Sequence, residues 1–359
     1  MKRSVAIGAL AMLGPAFPGL ASAQEPRGQV HVLVVGGLPG SPVYARRYQD
    51  WIRRFHAYFT GVQKVPAGNI VVISGDADFR DPIVRGPADA ASVRKELAAM
   101  AARVGPDDQF VLLLLGHGGV TDPIPTLVLP GKDIAAPEIA EGLERIAATN
   151  QVVLNFAASS GAMIKPLAKK GRVQVSALRP MEANEPVYPE FFLRGLESGA
   201  ADGAEAPDAG RKDGTITLLE AYHWSARQTA LWIVRQRKTA GAGDPWRLDG
   251  RTSVEVFEKL TKGEEGQFGA RRLDPESDRA APDADAPLVP PGGAIDATWN
   301  GKRVVTEHAA LEDGGGEFPG VALQGDGFKP LAGKAAGEPG ALARRAVLGR
   351  AALLKAEGP

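Results

Sequence analysis

Residues 109–119 read QFVLLLLGHGG: an unbroken apolar run from Phe110 to Leu115, closed by Gly-His-Gly-Gly. A run this short, apolar on both faces and ended by glycines, predicts a strand buried between two layers. The same signature recurs on either side. Val30–Val35 runs into Gly36-Gly37, and NIVVIS (69–74), QVVLNF (151–156) and VQVSAL (173–178) are further short apolar runs. Between them lie segments of helical period. Tyr48, Trp51, Ile52, Phe55 and Phe59 form one apolar stripe, with Arg46, Arg53 and Arg54 off it. Residues 91–104 are rich in strong helix formers, and residues 136–148 open with Pro137 near a helix start. TLVLPG, beginning at Thr126, is expected to be a short edge strand. Alternating strands and helices predict an α/β fold, a three-layer α/β/α sandwich around a mostly parallel sheet. Ligand sites in such sheets lie at the carboxyl ends of the strands. Three predicted strands end in glycine or small polar residues, at Gly36-Gly37, Gly116-His117-Gly118 and Ala157–Gly161.

The chain has 359 residues, is 44% hydrophobic and carries no net formal charge. Neutrality gives no basic footprint for a nucleic-acid partner. Lys2 and Arg3, an apolar run from Val5 to Leu13 and a small-x-small pattern at Ala21-Ser22-Ala23 predict a signal peptide over residues 1–23. The expected location is therefore exported, periplasmic or secreted, with no integral membrane segment after the signal is removed. Cysteine is absent, so there is no disulfide, no thiol nucleophile and no thiolate ligand.

After Leu178 an irregular loop, RPMEANEPVYPE, leads to a helix at FFLRGL. Thr217 and Glu220 have capping-box spacing at the start of a long helix, and residues 252–260 predict another. From residue 263 to 359 Pro, Gly, Ala and Asp dominate. This extension is expected to be largely linker, with a short hairpin turning at Asn300-Gly301 and a basic terminal helix over ALARRAVLGRAALLKA.

A histidine between glycines at the end of a buried strand leaves its ring open to a ligand. With a cysteine on the next strand end it would form a thiolate–imidazolium pair. From about Val30 to Leu260 the chain resembles the caspase-like superfamily, and within it the legumain-type peptidases of bacteria. The resemblance assigns residues 28–262 to that domain and His117 to the catalytic histidine. ASSGAM matches the frame around the family's cysteine at Ser160, Gly161 and Met163, which puts Ala158 at the nucleophile position. An alternative register, closer to caspases proper, puts Ser159 there. Neither supplies a thiol. The resemblance further implies a recognition loop carrying Arg179, Glu182 and Asn184, with Gly118 as a backbone contact in the cleft.

The sequence therefore predicts an inactive peptidase homologue that binds a peptide or protein partner of the envelope in its cleft. Two alternatives are an active hydrolase using Ser159 or Ser160 with His117, and an envelope assembly component acting through its tail. No cofactor and no metal are expected. A calcium-loop frame ending at Glu220 would place Ala209 and Arg211 at its first two ligand positions, and the glycines at 36, 37 and 40 do not fit a dinucleotide fingerprint. His31, His56 and His223 read as packing or surface residues.

Overall fold

The computed structural model describes residues 28–121, 123–178, 186–204, 212–226 and 228–229, with Ala309 and short strands between 298 and 349. In chain order the first half holds β1 (Val30–Gly36), α1 (Pro42–Ala57), β2 (Ile70–Ser74), β3 (Val84–Pro87), α2 (Ala90–Arg103) and β4 (Gln109–Gly116). Three short strands follow, β5 (Gly118–Thr121), β6 (Ile124–Leu127) and β7 (Ile134–Ala135), then α3 (Ala136–Glu144), β8 (Asn150–Ala157), α4 (Ile164–Leu167), β9 (Arg172–Ser176) and α5 (Tyr188–Glu197). Next come β10 (Ile216–Thr217), a helix α6 from 218 to 226, β11 (Thr298–Trp299), β12 (Lys302–Arg303) and β13 (Ala310–Asp313). The last strands are β14 (Val321–Gln324), β15 (Gly327–Pro330) and β16 (Val347–Gly349).

The main sheet has seven strands in the order β13-β9-β8-β4-β1-β2-β3. All pair in parallel except β13, which runs antiparallel to β9. Side chains alternate between its two faces, as the pleat requires. Val32, Val34, Val111, Leu113, Leu115, Leu154 and Phe156 pack with α1 and α5. Leu33, Val35, Phe110, Leu112, Leu114 and Val153 pack with α2 and α3. This is the three-layer sandwich that the apolar runs predict, and the stripe of Tyr48, Trp51, Ile52 and Phe55 on α1, continued by Phe59 beyond its end, is buried as its spacing requires. Of the predicted edge strand at TLVLPG only Thr126 and Leu127 are strand, at the end of β6 in the small sheet β5-β6-β7.

Polar groups close the helix ends and clamp the layers. The Ser41 hydroxyl accepts from Tyr44 N at the start of α1, and the Asp89 carboxylate accepts from Ser92 N at the start of α2. Between α1 and α5, Trp51 Nε1 donates to Glu190 Oε2 at 2.9 Å, and Arg54 reaches both Glu190 and Glu197 at 2.7 Å. Arg172, 1% exposed, places its guanidinium on Gln151 Oε1, Leu167 O and Glu144 Oε1, so its buried charge is fully engaged.

The C-terminal extension departs from expectation. The predicted hairpin strands are present, with Trp299 of β11 opposite Lys302 of β12 in an antiparallel pair. Yet β13 adds to the outer edge of β9, and Leu311 is fully buried there. An apolar strand left at a sheet edge is a template for aggregation, so covering it is favourable. Where a terminal helix is expected, residues 347–349 form a strand instead, paired with β10. Leu348 enters the α1/α5 layer, and this tertiary burial overrides the helical preference of the Ala, Leu and Arg residues around it in the sequence. The domain therefore draws on residues beyond 262. The signal segment and residues 252–260 lie outside the described residues. None of the described helices is long and apolar enough to cross a membrane.

At the amino ends of β1 and β4, His31 Nε2 stands 3.4 Å from Asp108 Oδ2. Burial lowers the His31 pKa below its ordinary 6.5, against the pull of Asp108. The unfolded chain thus binds the proton more readily than the folded one, and the contribution present above pH 6.5 is lost as pH falls. In urea unfolding across pH, the stability difference between wild type and His31→Gln is predicted to shrink below pH 6.5. A difference that grows on acidification contradicts this assignment.

Candidate functional site

The carboxyl ends of β1, β4 and β8 are stitched together by backbone bonds. Gly37 N donates to Leu115 O at 2.6 Å, and Ala158 N donates to Gly116 O at 3.1 Å. Pairing of β4 with β8 ends at Gly116↔Ala157, so His117 and Ala158 are the next residues on adjacent strand ends. Leu115 and Phe156 both face the α1/α5 layer. Alternation from them directs positions 117 and 158 to that same side.

His117 is half-buried, and its Nε2 lies 2.9 Å from Pro39 O. A carbonyl can only accept, so Nε2 carries the hydrogen, and in the neutral ring Nδ1 is then the basic nitrogen. The ring is also packed edge-on against Tyr44 at 5.3 Å and Tyr48 at 6.0 Å. Gly40 has φ +70°, and a Cβ there would stand 3.3 Å from His117 Nε2, so the loop before α1 can approach the ring only as glycine. Gly118 is tighter still. A Cβ would lie 2.3 Å from Ala158 O, so no side chain fits between the two strand ends.

Ala158 is 4% exposed and brings a methyl group to this junction. The residues after it form a turn with its own fastenings. Asn155 Oδ1 accepts from Ala157 N at 3.2 Å, while its Nδ2 donates to Ser160 O at 3.4 Å. Ser160 Oγ accepts from Leu178 N at 3.1 Å and donates to Leu178 O at 3.5 Å. Its hydroxyl thus holds the chain beyond β9, a structural task. Ser159 is buried with φ 54° and ψ 21°, a left-handed conformation that costs a non-glycine residue about 1–2 kcal/mol. Met163 belongs to the α2/α3 core.

Of the residues predicted for the site, His117, Gly118, Ala158, Ser159 and Ser160 gather at these strand ends. Arg179, Glu182 and Asn184 lie outside the described residues. Pro39, Tyr44, Tyr48 and Asn155 were not singled out as site residues by the sequence. Asn155 had a signal, as the one amide inside the run VVLNFA. Pro39 had none, because its carbonyl makes the contact.

Glu220 performs the capping-box role that its spacing predicts. It accepts from Thr217 N, Thr217 Oγ1 and Gly203 N, and Glu220 N donates to Thr217 Oγ1. Burial pushes its carboxyl up to about 7, against the donors around it, with the Asp202 charge adding to the rise. Asp202 in turn accepts from Asp213 N and Gly214 N. Among the described residues no group of three or more metal-ligating side chains could hold an ion.

No family model matches the chain, and no curated protein matches it. Among solved structures it is similar to the crystal structure of protein GSU0716 from Geobacter sulfurreducens, at 14% identity and a TM-score of 0.36. That likeness covers 50% of this chain and 85% of the other.

The two serines should respond oppositely to substitution. Ser160→Ala leaves the Leu178 amide buried without its partner and is predicted to cost ~1–3 kcal/mol in chemical unfolding. Ser159→Gly relieves the left-handed strain and is predicted to gain up to ~1 kcal/mol. Destabilisation by Ser159→Gly contradicts this division of roles.

Proposed function

We propose that this chain is a caspase-like domain of the legumain type that has kept its cleft and lost its chemistry, and that it binds an extended peptide segment of an envelope protein there. One observation carries the reading: a methyl group, Ala158, stands in register beside His117 at the adjacent strand end. The family resemblance requires a histidine strand neighbouring a nucleophile strand, and β4 and β8 are neighbours. Support also comes from the imidazole, held in one tautomer by Pro39 O, as a proton-transfer group would be. With no cysteine in the chain, a histidine so held has no thiol to activate. The half-buried ring, Tyr44 and the glycine-lined loop remain as an aromatic binding surface. Export to the envelope is part of the proposal and rests on the signal-like N-terminus.

A hydrolase reading is favoured by one feature, the strained backbone of Ser159, since such strain recurs at reactive sites. It is the weaker reading because Ser160 is committed to Leu178.

Fluorogenic peptides with arginine, lysine, asparagine or aspartate before the reporter should show no turnover above buffer with the full chain. Turnover abolished by His117→Ala or Ser159→Ala would establish the hydrolase instead. Binding of a labelled peptide pool should weaken at least ~10-fold in Tyr44→Ala, the loss expected of an aromatic anchor.

A further inference from the structure

The end of α1 opposite His117 holds a second feature that the cleft does not use. After α1 the chain makes one wide turn, Tyr58–Val62, and Tyr58 stands about 21 Å of helix rise beyond Tyr44. Both Tyr58 Oη, at 2.7 Å, and Gln63 Nε2 donate to one acceptor, the carbonyl of Leu348. The Leu348 side chain is 1% exposed in the apolar layer that also holds Tyr58 and Ile216. On the other side β16 pairs antiparallel with β10, Ile216 opposite Gly349 and Thr217 opposite Val347.

We propose that this slot, between β10 and the turn after α1, is a peptide-recognition site of its own. Its ligand is an extended segment presenting one carbonyl and one buried apolar side chain, and Val347–Gly349 occupies it in cis. Recognition is made by backbone pairing and a single side chain, the pattern of strand addition. The slot also demands an occupant. Among the described residues, without the strand Tyr58 Oη loses the acceptor to which it donates, and Gln63 Nε2 keeps its bond to Tyr58 Oη. The pairing spans only three residues, so covalent attachment acts mainly by raising local concentration. The same segment supplied on a separate peptide can therefore take the place.

The test uses the full chain with a specific protease site inserted between Gly340 and Ala341. After cleavage the 341–359 fragment is expected to co-elute with the body on gel filtration. A fluorescein-labelled 341–359 peptide should exchange into the nicked protein saturably, and a peptide carrying Leu348→Asp should bind at least ~10-fold more weakly. Tyr58→Phe in the body should weaken exchange several-fold while the thermal transition is retained. The proposal is overturned if the labelled peptide fails to bind a nicked body with an unchanged circular dichroism spectrum. It is equally overturned if the Leu348→Asp peptide binds as well, or if the body unfolds once the fragment leaves, since the strand is then an inseparable part of the core.

Discussion

The structure depends on the register between β4 and β8, paired without a break from Gln109↔Asn150 to Gly116↔Ala157. A slip of one residue would exchange every side chain between faces. Hydrophobic pattern alone resists such a slip weakly here, because both faces of both strands are apolar. Polar groups at the two ends do the fixing. At the amino end Asn150 Nδ2 donates to Gln109 Oε1 at 3.0 Å, and the buried Gln151 amide donates to Ile146 O, just beyond the end of α3, at 2.9 Å. At the carboxyl end Ala158 N meets Gly116 O, and the bare Gly118 lies against Ala158 O. His117 stands beside Ala158 because these ends hold.

The turn after β8 follows from the same constraint. Its chain must leave the sheet within a few residues, and Ser159 adopts a left-handed backbone to do so. Asn155 and Ser160 offset that strain with bonds to Ala157, Leu178 and the turn itself. The fastenings hold the strand end in one geometry. Rigidity of this kind suits a binding surface, which loses less freedom when its ligand arrives.

The central strands and α1 were legible because burial on both faces writes an unbroken apolar run, and burial on one face writes a helical stripe. The capping box was legible because Thr217 and Glu220 are themselves the bonding groups. Other elements left little trace. β3, with Gly86 and Pro87 in its four residues, has a turn-like composition. β13 and β16 are strands only because β9 and β10 await partners, and pairing with a distant strand leaves no periodicity in so short a segment. At the site, His117 and Ala158 could be read from side chains, whereas Pro39 contributes a backbone carbonyl common to every residue.

In the proposed reading, the position beside His117 is a nucleophile's place holding a methyl group. The most direct measurement is the pH dependence of iodoacetamide alkylation of the thiol introduced by Ala158→Cys, with and without His117→Ala. A thiol paired with the imidazole should ionise well below the ordinary value of about 8.5 and return towards it when His117 is removed. Alkylation that follows an ordinary thiol titration in both proteins would contradict the account.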